Sequence, residues 1–329
     1  MIKITHKKRY ENIKKERKEK TTTINLVEAD EDFATIIETN YNSAIALYSG
    51  SKIEVKLSKN IKGIINKVIY PGDYVILKNK EIVSVIKRKN TLSREKYDST
   101  KINDIGTKKI IAANIDIAVI VVSASEPPLH PKFIDRYMIL LKNSNIPFII
   151  CINKCELLTT KEKKLLKLYE DLGIKVIKTS AYTGKGIKEL ENILESKQAI
   201  LVGHSGVGKS SITNAIMNSD DIKIGKVGDK YKRGCHTTTT STYYKWNANS
   251  SIIDTPGIRS LDLSNFNKED IKHYFEEFLP YNNLCKYKDC LHNTEPLNSC
   301  MIKKQVENGI ITKERYESYL KIINEIKRK

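Results

Sequence analysis

Three hydrophobic rhythms follow one another along this chain and predict a multidomain protein. An N-terminal β-barrel is expected first, then an α/β domain on a mainly parallel sheet, then a helical module built around a cysteine cluster. Between residues 22 and 94, short β-branched and aromatic runs recur at hairpin spacing. From about residue 110, apolar strands alternate with helical stretches. Beyond Asp262 the chain is charged and helical, interrupted by Cys285, Cys290, His292 and Cys300. With 329 residues it is longer than one hydrophobic core usually organises. The limits drawn are a basic tail over 1–21, a barrel over 22–94, the α/β domain over 95–264 and the C-terminal module over 265–329.

In the first module, residues 33–38, 43–48, 52–57, 74–77 and 82–86 are rich in the residue types that fit a pleated, half-buried surface. Ser49-Gly50-Ser51 and Asn79-Lys80 supply tight turns, and Pro71-Gly72-Asp73 punctuates the approach to the last hairpin. Five short strands suit a small closed barrel. The OB-fold, a frequent nucleic-acid binder, is the commonest such solution, with an SH3-like barrel as the alternative. Residues 100–109 are polar and read as a linker. Strands are then expected at 115–123, 147–152, 175–179, 199–202 and 251–253, and helices at 132–143, 161–172, 187–194 and 209–217. That alternation implies a mainly parallel sheet covered on both faces. In residues 313–327, Tyr316, Tyr319, Leu320, Ile323 and Ile326 recur near helical spacing and form a packing face.

The segment Gly203-His204-Ser205-Gly206-Val207-Gly208-Lys209-Ser210 lies between an expected strand and an expected helix, the setting of a P-loop. Its glycines let backbone N–H groups wrap an anion and the helix N-terminus adds a favourable dipole. Lys209 reaches terminal phosphates and Ser210 is placed for Mg²⁺. Asn153-Lys154-Cys155-Glu156 ends the strand 147–152, at the sheet edge where ligands bind. There the Asn amide recognises purine O6/N7, the lysine stem packs on the ring, and the carboxylate accepts the N–H donors that guanine has and adenine lacks. Glu156 is one methylene longer than the usual Asp. Ser180 and Ala181 sit at the next strand end. Asp254-Thr255-Pro256-Gly257 follows another strand, with Asp254 suited to hold Mg²⁺ through water and Gly257 to offer its N–H to a γ-phosphate. Where many GTPases carry a water-orienting Gln, Ile258 stands here and cannot orient water. Slow intrinsic hydrolysis follows, unless another group such as His236, ahead of Thr237, Thr238, Thr239 and Thr240, does that work.

The two base-reading segments precede the phosphate loop, whereas the usual order is the reverse. That inversion marks a circularly permuted P-loop GTPase, with the phosphate-sensing segment leading directly into the C-terminal module.

With these motifs the chain resembles the RsgA family of ribosome small-subunit-dependent GTPases over nearly its full length. The residues that carry the resemblance are Ala113-Asn114-Ile115-Asp116, Asp135-Arg136-Tyr137, Asn153-Lys154 and the loop 203–211 including Ser211. Arg233-Gly234-Cys235-His236 with the threonines, Asp254-Thr255-Pro256-Gly257-Ile258-Arg259 and the cysteine cluster complete them. The resemblance implies an OB-fold domain, a permuted G domain and a C-terminal zinc domain. It implies hydrolysis of GTP to GDP and phosphate, stimulated by the small (30S) ribosomal subunit late in that subunit's maturation. It also implies that His236 positions the attacking water and that one of Thr237, Thr238 and Thr239 senses Mg²⁺ and γ-phosphate. Zinc is implied at Cys285, Cys290, His292 and Cys300, a closed Cys₃His set of structural type. Seven residues separate His292 from Cys300, more than the family's usual spacing.

Composition constrains the partners. The formal charge is +18 with a pI near 9.4, and residues 1–20 hold nine Lys/Arg against three Glu, which points to a polyanion such as 16S rRNA. No apolar run reaches the ~20 residues of a membrane span, and the N-terminus lacks the apolar core of a secretory signal. A cytoplasmic monomer is expected, with free rather than disulfide-bonded cysteines. The main rival is an rRNA-binding assembly scaffold that binds GTP but hardly turns it over. A P-loop ATPase or kinase is disfavoured by Asn153-Lys154 and by motif order.

Overall fold

In the computed structural model, which describes residues 32–59, 61, 65–95, 108–217, 242–255, 263 and 266–326, the chain divides into two units between Arg88 and Lys89. The first is the barrel. β1 (Asp32–Thr39), β2 (Ala44–Tyr48) and β3 (Ser51–Leu57) are followed by a short helix α1 (Ile65–Val68), then β4 (Tyr74–Lys78) and β5 (Glu81–Val85). The strands close in the order β1-β2-β3-β5-β4, with β3 and β5 parallel and β4 returning to β1. This five-stranded Greek-key closure is the OB arrangement, and it leaves no free sheet edge. Alternate positions such as Ala34 and Ile36, Ala44 and Ala46, and Val75 and Leu77 point inward around Val55 and Ile82, as the two-residue period of a strand requires.

The tight turns form where expected. Asn79 and Lys80 both adopt left-handed φ values of 51° and 63°, the backbone twist that matches a two-residue hairpin. Asp73 is fully buried, and its carboxylate accepts two hydrogen bonds from Arg88, at 2.7 and 2.8 Å, and one from the Tyr70 amide at 2.8 Å. A buried carboxylate so satisfied pins the turn before β4 to the chain leaving the barrel.

The second unit opens with an antiparallel ribbon, β6 (Thr91–Glu95) paired with β7 (Lys108–Ala113). The linker expected over 100–109 therefore ends earlier than supposed, because Lys108 and Lys109 already belong to β7. Two lysines carry no strand signal by themselves; ladder pairing with Glu95 and Arg94 supplies the order.

The α/β layer follows: β8 (Ile117–Ser123), α2 (Pro131–Asn143), β9 (Phe148–Asn153), α3 (Thr160–Asp171), β10 (Val176–Lys178), α4 (Ile187–Leu194), β11 (Gln198–Val202), α5 (Lys209–Met217), β12 (Thr242–Lys245) and β13 (Ser251–Asp254). The sheet order is β10-β9-β8-β11-β13-β12, parallel except for β12, an edge strand absent from the sequence reading. Every residue of β8 and β11 is buried, as befits central strands covered by helices on both faces. The chain moves from β8 to β9 and β10 on one side, then crosses to β11 on the other. That reversal opens a crevice at the carboxyl ends of β8 and β11.

The C-terminal module contains α6 (Lys268–Ile271), α7 (Met301–Glu307) and α8 (Lys313–Glu325), joined by single 3₁₀ turns. Its core combines Phe275, Phe278, Tyr319, Ile322 and Ile323 with Ile139 from α2. The helix α2 thus serves two cores, since Ile134, Tyr137 and Met138 face the sheet. Among the described residues no helix is long and apolar enough to cross a membrane.

Candidate nucleotide site and metal centre

The loop between β11 and α5 fits the crevice because its glycines closely approach the backbone of β8 and the side chain of Asn153. A Cβ on Gly203 would lie 2.3 Å from the Val121 carbonyl oxygen, and one on Gly208, whose φ is +95°, would lie 2.1 Å from Asn153 Nδ2. No side chain fits either place. Lys209 is buried, and its ammonium donates to the carbonyls of Gly203 and His204, both at 3.0 Å. Burial depresses its pKa, opposed by the Asp254 charge. An ammonium held dry inside a loop of backbone N–H groups gains from any anion that reaches it.

Ser210 donates to Asp254 Oδ2 at 2.7 Å, while Asp254 Oδ1 is buried without a hydrogen-bond partner among the described residues. Burial raises the Asp254 carboxyl, and Ser210 and Lys209 pull it back. A hydroxyl beside an orphaned carboxylate oxygen is a hard oxygen donor set of the kind Mg²⁺ takes with phosphates and water. The residues present therefore fit that ion. Thr255 donates to the Leu201 carbonyl at 2.8 Å, tying the Asp254 strand end to the strand that carries the phosphate loop.

Asn153 joins three loops. Its Oδ1 accepts from the Ala181 amide at 3.1 Å, and its Nδ2 donates to the Val207 carbonyl at 3.1 Å. The two segments expected to read a base and the loop expected to hold phosphate, far apart in sequence, thus share one buried side chain. Lys154 adopts a left-handed φ of 58°, and its ammonium donates to the Glu126 carbonyl at 2.6 Å. Glu156 is exposed on the following turn. Ser180 is buried and its Oγ accepts from the Thr183 amide at 3.2 Å. His204 meets the ring of Phe133 edge-on at 5.4 Å, beside an apolar cavity of about 240 Å³ lined by Val121, Leu129, Phe133, Tyr137 and Val207. Ser205, Gly206 and Ser211 complete the loop and the first turn of α5. The expected roles of His236, Thr237, Thr238, Thr239, Gly257 and Ile258, and of the basic tail, lie outside the described residues.

At the other site, the ligand atoms of Cys285, Cys290, His292 and Cys300 all lie within 4.8 Å of one another. His292 Nδ1 is 3.6, 3.2 and 3.4 Å from the three sulfurs. Tetrahedral zinc with Zn–S near 2.3 Å and Zn–N near 2.05 Å requires about 3.6 Å between sulfur and nitrogen, so the donor set fits Zn²⁺. His292 Nε2–H donates to Asn282 Oδ1 at 3.1 Å, which leaves the Nδ1 lone pair facing the sulfurs. Burial, with the nearby Lys272 charge, lowers the His292 pKa to about 4 and keeps the ring neutral.

Side-chain hydrogen bonds hold the long span from His292 to Cys300. Glu295 accepts from the amides of Leu291 and Asn293 at 2.8 and 2.7 Å, holding His292 at a φ of +56°, and Tyr316 donates to the His292 carbonyl at 2.7 Å. That span includes the 3₁₀ turn Leu297–Ser299.

A second polar cluster links the α/β layer to the C-terminal module and was not legible as a site. Asp135 on α2 is fully buried and accepts from Arg315, Ser318 and, at 3.0 Å, Tyr169. Arg315 also donates to Glu277 at 2.6 Å and lies over the Phe275 ring at 4.4 Å. Burial raises the Asp135 carboxyl against these donors, while the two carboxylates hold the Arg315 guanidinium protonated above its ordinary value. One signal existed: Arg315, Tyr319, Ile322 and Ile326 fall on one helical stripe, so an arginine there had to be buried and paired.

Comparison with known proteins agrees with this geometry. Residues 85–264 match the family model for the RsgA GTPase. The small ribosomal subunit biogenesis GTPase RsgA of Borreliella burgdorferi is 39% identical over 262 residues, 79% of this chain and 83% of that protein. The crystal structure of YjeQ from Thermotoga maritima superposes with a TM-score of 0.67 at 30% identity, covering 91% of this chain and all of that one. The circularly permuted GTPase YloQ has the same fold, with a TM-score of 0.63 at 23% identity over 93% of this chain and 100% of its own.

Proposed function

This chain belongs to the RsgA GTPase family, and we propose from that premise that it hydrolyses GTP on the small ribosomal subunit late in the subunit's maturation. It is a GTP-hydrolysing enzyme of ribosome biogenesis; stimulation by the 30S subunit, contact with 16S rRNA, a monomeric state and a cytoplasmic location are the finer parts of the proposal.

The observation that carries the site assignment is the pairing of Ser210 with Asp254 beside the buried Lys209. Lys209 and the amides of the loop 203–208 bind the β- and γ-phosphates. Ser210 and Asp254 hold Mg²⁺, whose chemistry is to neutralise charge between those phosphates. Asn153, Lys154, Glu156, Ser180 and Ala181 bind the guanine. His236 orients the attacking water in place of the glutamine that Ile258 displaces, and one of Thr237, Thr238 and Thr239 senses γ-phosphate with Gly257. One Zn²⁺ at Cys285, Cys290, His292 and Cys300 builds the C-terminal module. The barrel and the basic tail supply rRNA contacts, whose affinity falls steeply with salt.

Motif order gives the cycle a mechanical sense. Thr255 sits at the phosphate site and Leu263 already belongs to the core of the metal-bearing module, so contacts to γ-phosphate act on the chain that leads into that module. Equal positions of the module in GTP-analogue and GDP complexes, on and off the subunit, would remove this sense. The main test is single-turnover GTP hydrolysis with and without purified small subunits. A large acceleration is expected; none would leave an rRNA-binding scaffold as the better reading.

A further inference from the structure

Lys272 is a buried lysine, 8% exposed, whose ammonium donates to the Cys290 carbonyl at 3.0 Å. It opens the 3₁₀ turn Lys272–Tyr274 after α6, between the core residues Ile271 and Phe275. The other buried Lys and Arg side chains among the described residues lie near carboxylates: Lys209 near Asp254, and Arg315 against Asp135 and Glu277. Lys272 forms no ion pair with a carboxylate among the described residues. An ammonium withdrawn from water is costly unless opposite charge lies near it.

The cysteine set supplies that charge. Three thiolates and a neutral imidazole around Zn²⁺ leave one net negative charge. A carbonyl oxygen and the sulfur of its own cysteine are at most about 5 Å apart. The ammonium on the Cys290 carbonyl is therefore within about 8 Å of the Cys290 sulfur, no farther than salt screening reaches in open water. Both residues are buried, so the attraction is screened less than that. Other charged groups near the set are engaged elsewhere. The Glu295 carboxylate accepts from the Leu291 and Asn293 amides, and the half-buried Lys303 donates to the Glu295 carbonyl at 2.6 Å.

We infer that Lys272 is a positioning residue of the metal set, a built-in counter-ion whose fixed charge balances the net negative charge of the Zn²⁺-loaded cysteines and raises the site's affinity for the metal. The inference rests on the assignment of Cys285, Cys290, His292 and Cys300 to Zn²⁺. Lys272 touches the backbone of one ligand and none of the ligand atoms, so it acts on affinity and leaves the coordination geometry to the four ligands.

The test is competition for Zn²⁺ between a chromophoric chelator and the full chain, for the native protein and for Lys272→Met, Lys272→Gln and Lys272→Arg. Co²⁺ absorption of each protein reads the geometry of the set. Loss of the charge predicts a Zn²⁺ Kd about tenfold higher or more for Lys272→Met and Lys272→Gln, with Lys272→Arg within about threefold of the native protein. Co²⁺ should give the same tetrahedral absorption in every variant. Native Zn²⁺ affinity in Lys272→Gln overturns the Lys272 inference alone, since an uncharged side chain would then suffice. Lys272→Arg as weak as Lys272→Gln also overturns it, because restored charge would not restore the metal. A changed Co²⁺ band in Lys272→Gln does the same, since ligand geometry rather than charge would then be lost. Failure of the native chain to take up Zn²⁺ overturns the metal assignment and this inference with it.

Discussion

Replacing Arg315 with methionine is the sharpest test of how the two halves of the second unit are joined. The side chain is 3% exposed and serves two carboxylates, Asp135 and Glu277, while its plane covers Phe275. Methionine keeps much of the apolar stem but leaves the Asp135 carboxylate buried with only Ser318 and Tyr169 as donors. Breaking a buried ion pair from one side costs about 3–5 kcal/mol, or a fall in Tm of roughly 6–20 °C at about 2–4 °C per kcal/mol for a unit of this size. Urea unfolding followed by the fluorescence of Trp246, the only tryptophan and itself buried in the α/β core, measures it. The double variant Asp135→Asn/Arg315→Met should recover at least about 1.5 kcal/mol, because no buried charge is then left alone. Acidity gives a second reading. Burial already raises the Asp135 carboxyl, with Arg315 the strongest group opposing it, so removing Arg315 raises it further. A carboxyl raised in the folded state contributes most below its unfolded pKa of about 3.9, and that contribution is lost as pH rises through the folded value. The Arg315→Met deficit should therefore be smallest near pH 4, grow towards neutrality, and lose this trend when Asp135 is also Asn. A cost below about 1 kcal/mol, or strictly additive single and double variants, would refute the reasoning.

Other outcomes follow from the same geometry. The protein should bind one Zn²⁺ per chain by metal analysis, and Cys300→Ser should abolish that stoichiometry, because a tetrahedral site short of a thiolate is no longer closed. Gly208→Ala should lose GDP binding in a titration while remaining folded by circular dichroism, since its Cβ would meet Asn153 Nδ2 at 2.1 Å. His236→Ala should slow subunit-stimulated hydrolysis by about 10²-fold or more, as loss of a water-positioning group does, with the GDP Kd unchanged. Glu156→Gln should narrow the preference for GTP over XTP in competition, because an amide no longer offers two acceptor oxygens to the guanine N–H donors; an unchanged preference would remove the carboxylate from base reading.

Contiguous signals made much of this protein legible from sequence alone. A strand, a glycine loop and a helix in succession specify their own backbone, so the phosphate loop was readable at Gly203, Gly208 and Lys209. The order of the loops named the permutation, and the clustering of Cys285, Cys290 and Cys300 with His292 pointed to a metal. Alternating apolar positions in 33–57 and 74–86 were enough for the barrel. What sequence missed involves pairing at a distance. The ribbon β6–β7 begins with two lysines that signal nothing until Glu95 and Arg94 lie opposite. The Lys154 ammonium bonds a backbone carbonyl, and every residue has one, so no letter in the sequence marks Glu126 as its partner. Asn153 looked like a base reader only, yet its amide also locks Ala181 and Val207 in place. Arg315 and Asp135 are 180 residues apart, and neither reveals the other. Local motifs determined the chemistry because their backbone conformation is self-contained. Tertiary structure alone decided which charges were buried together, because that depends on which distant surfaces exclude water.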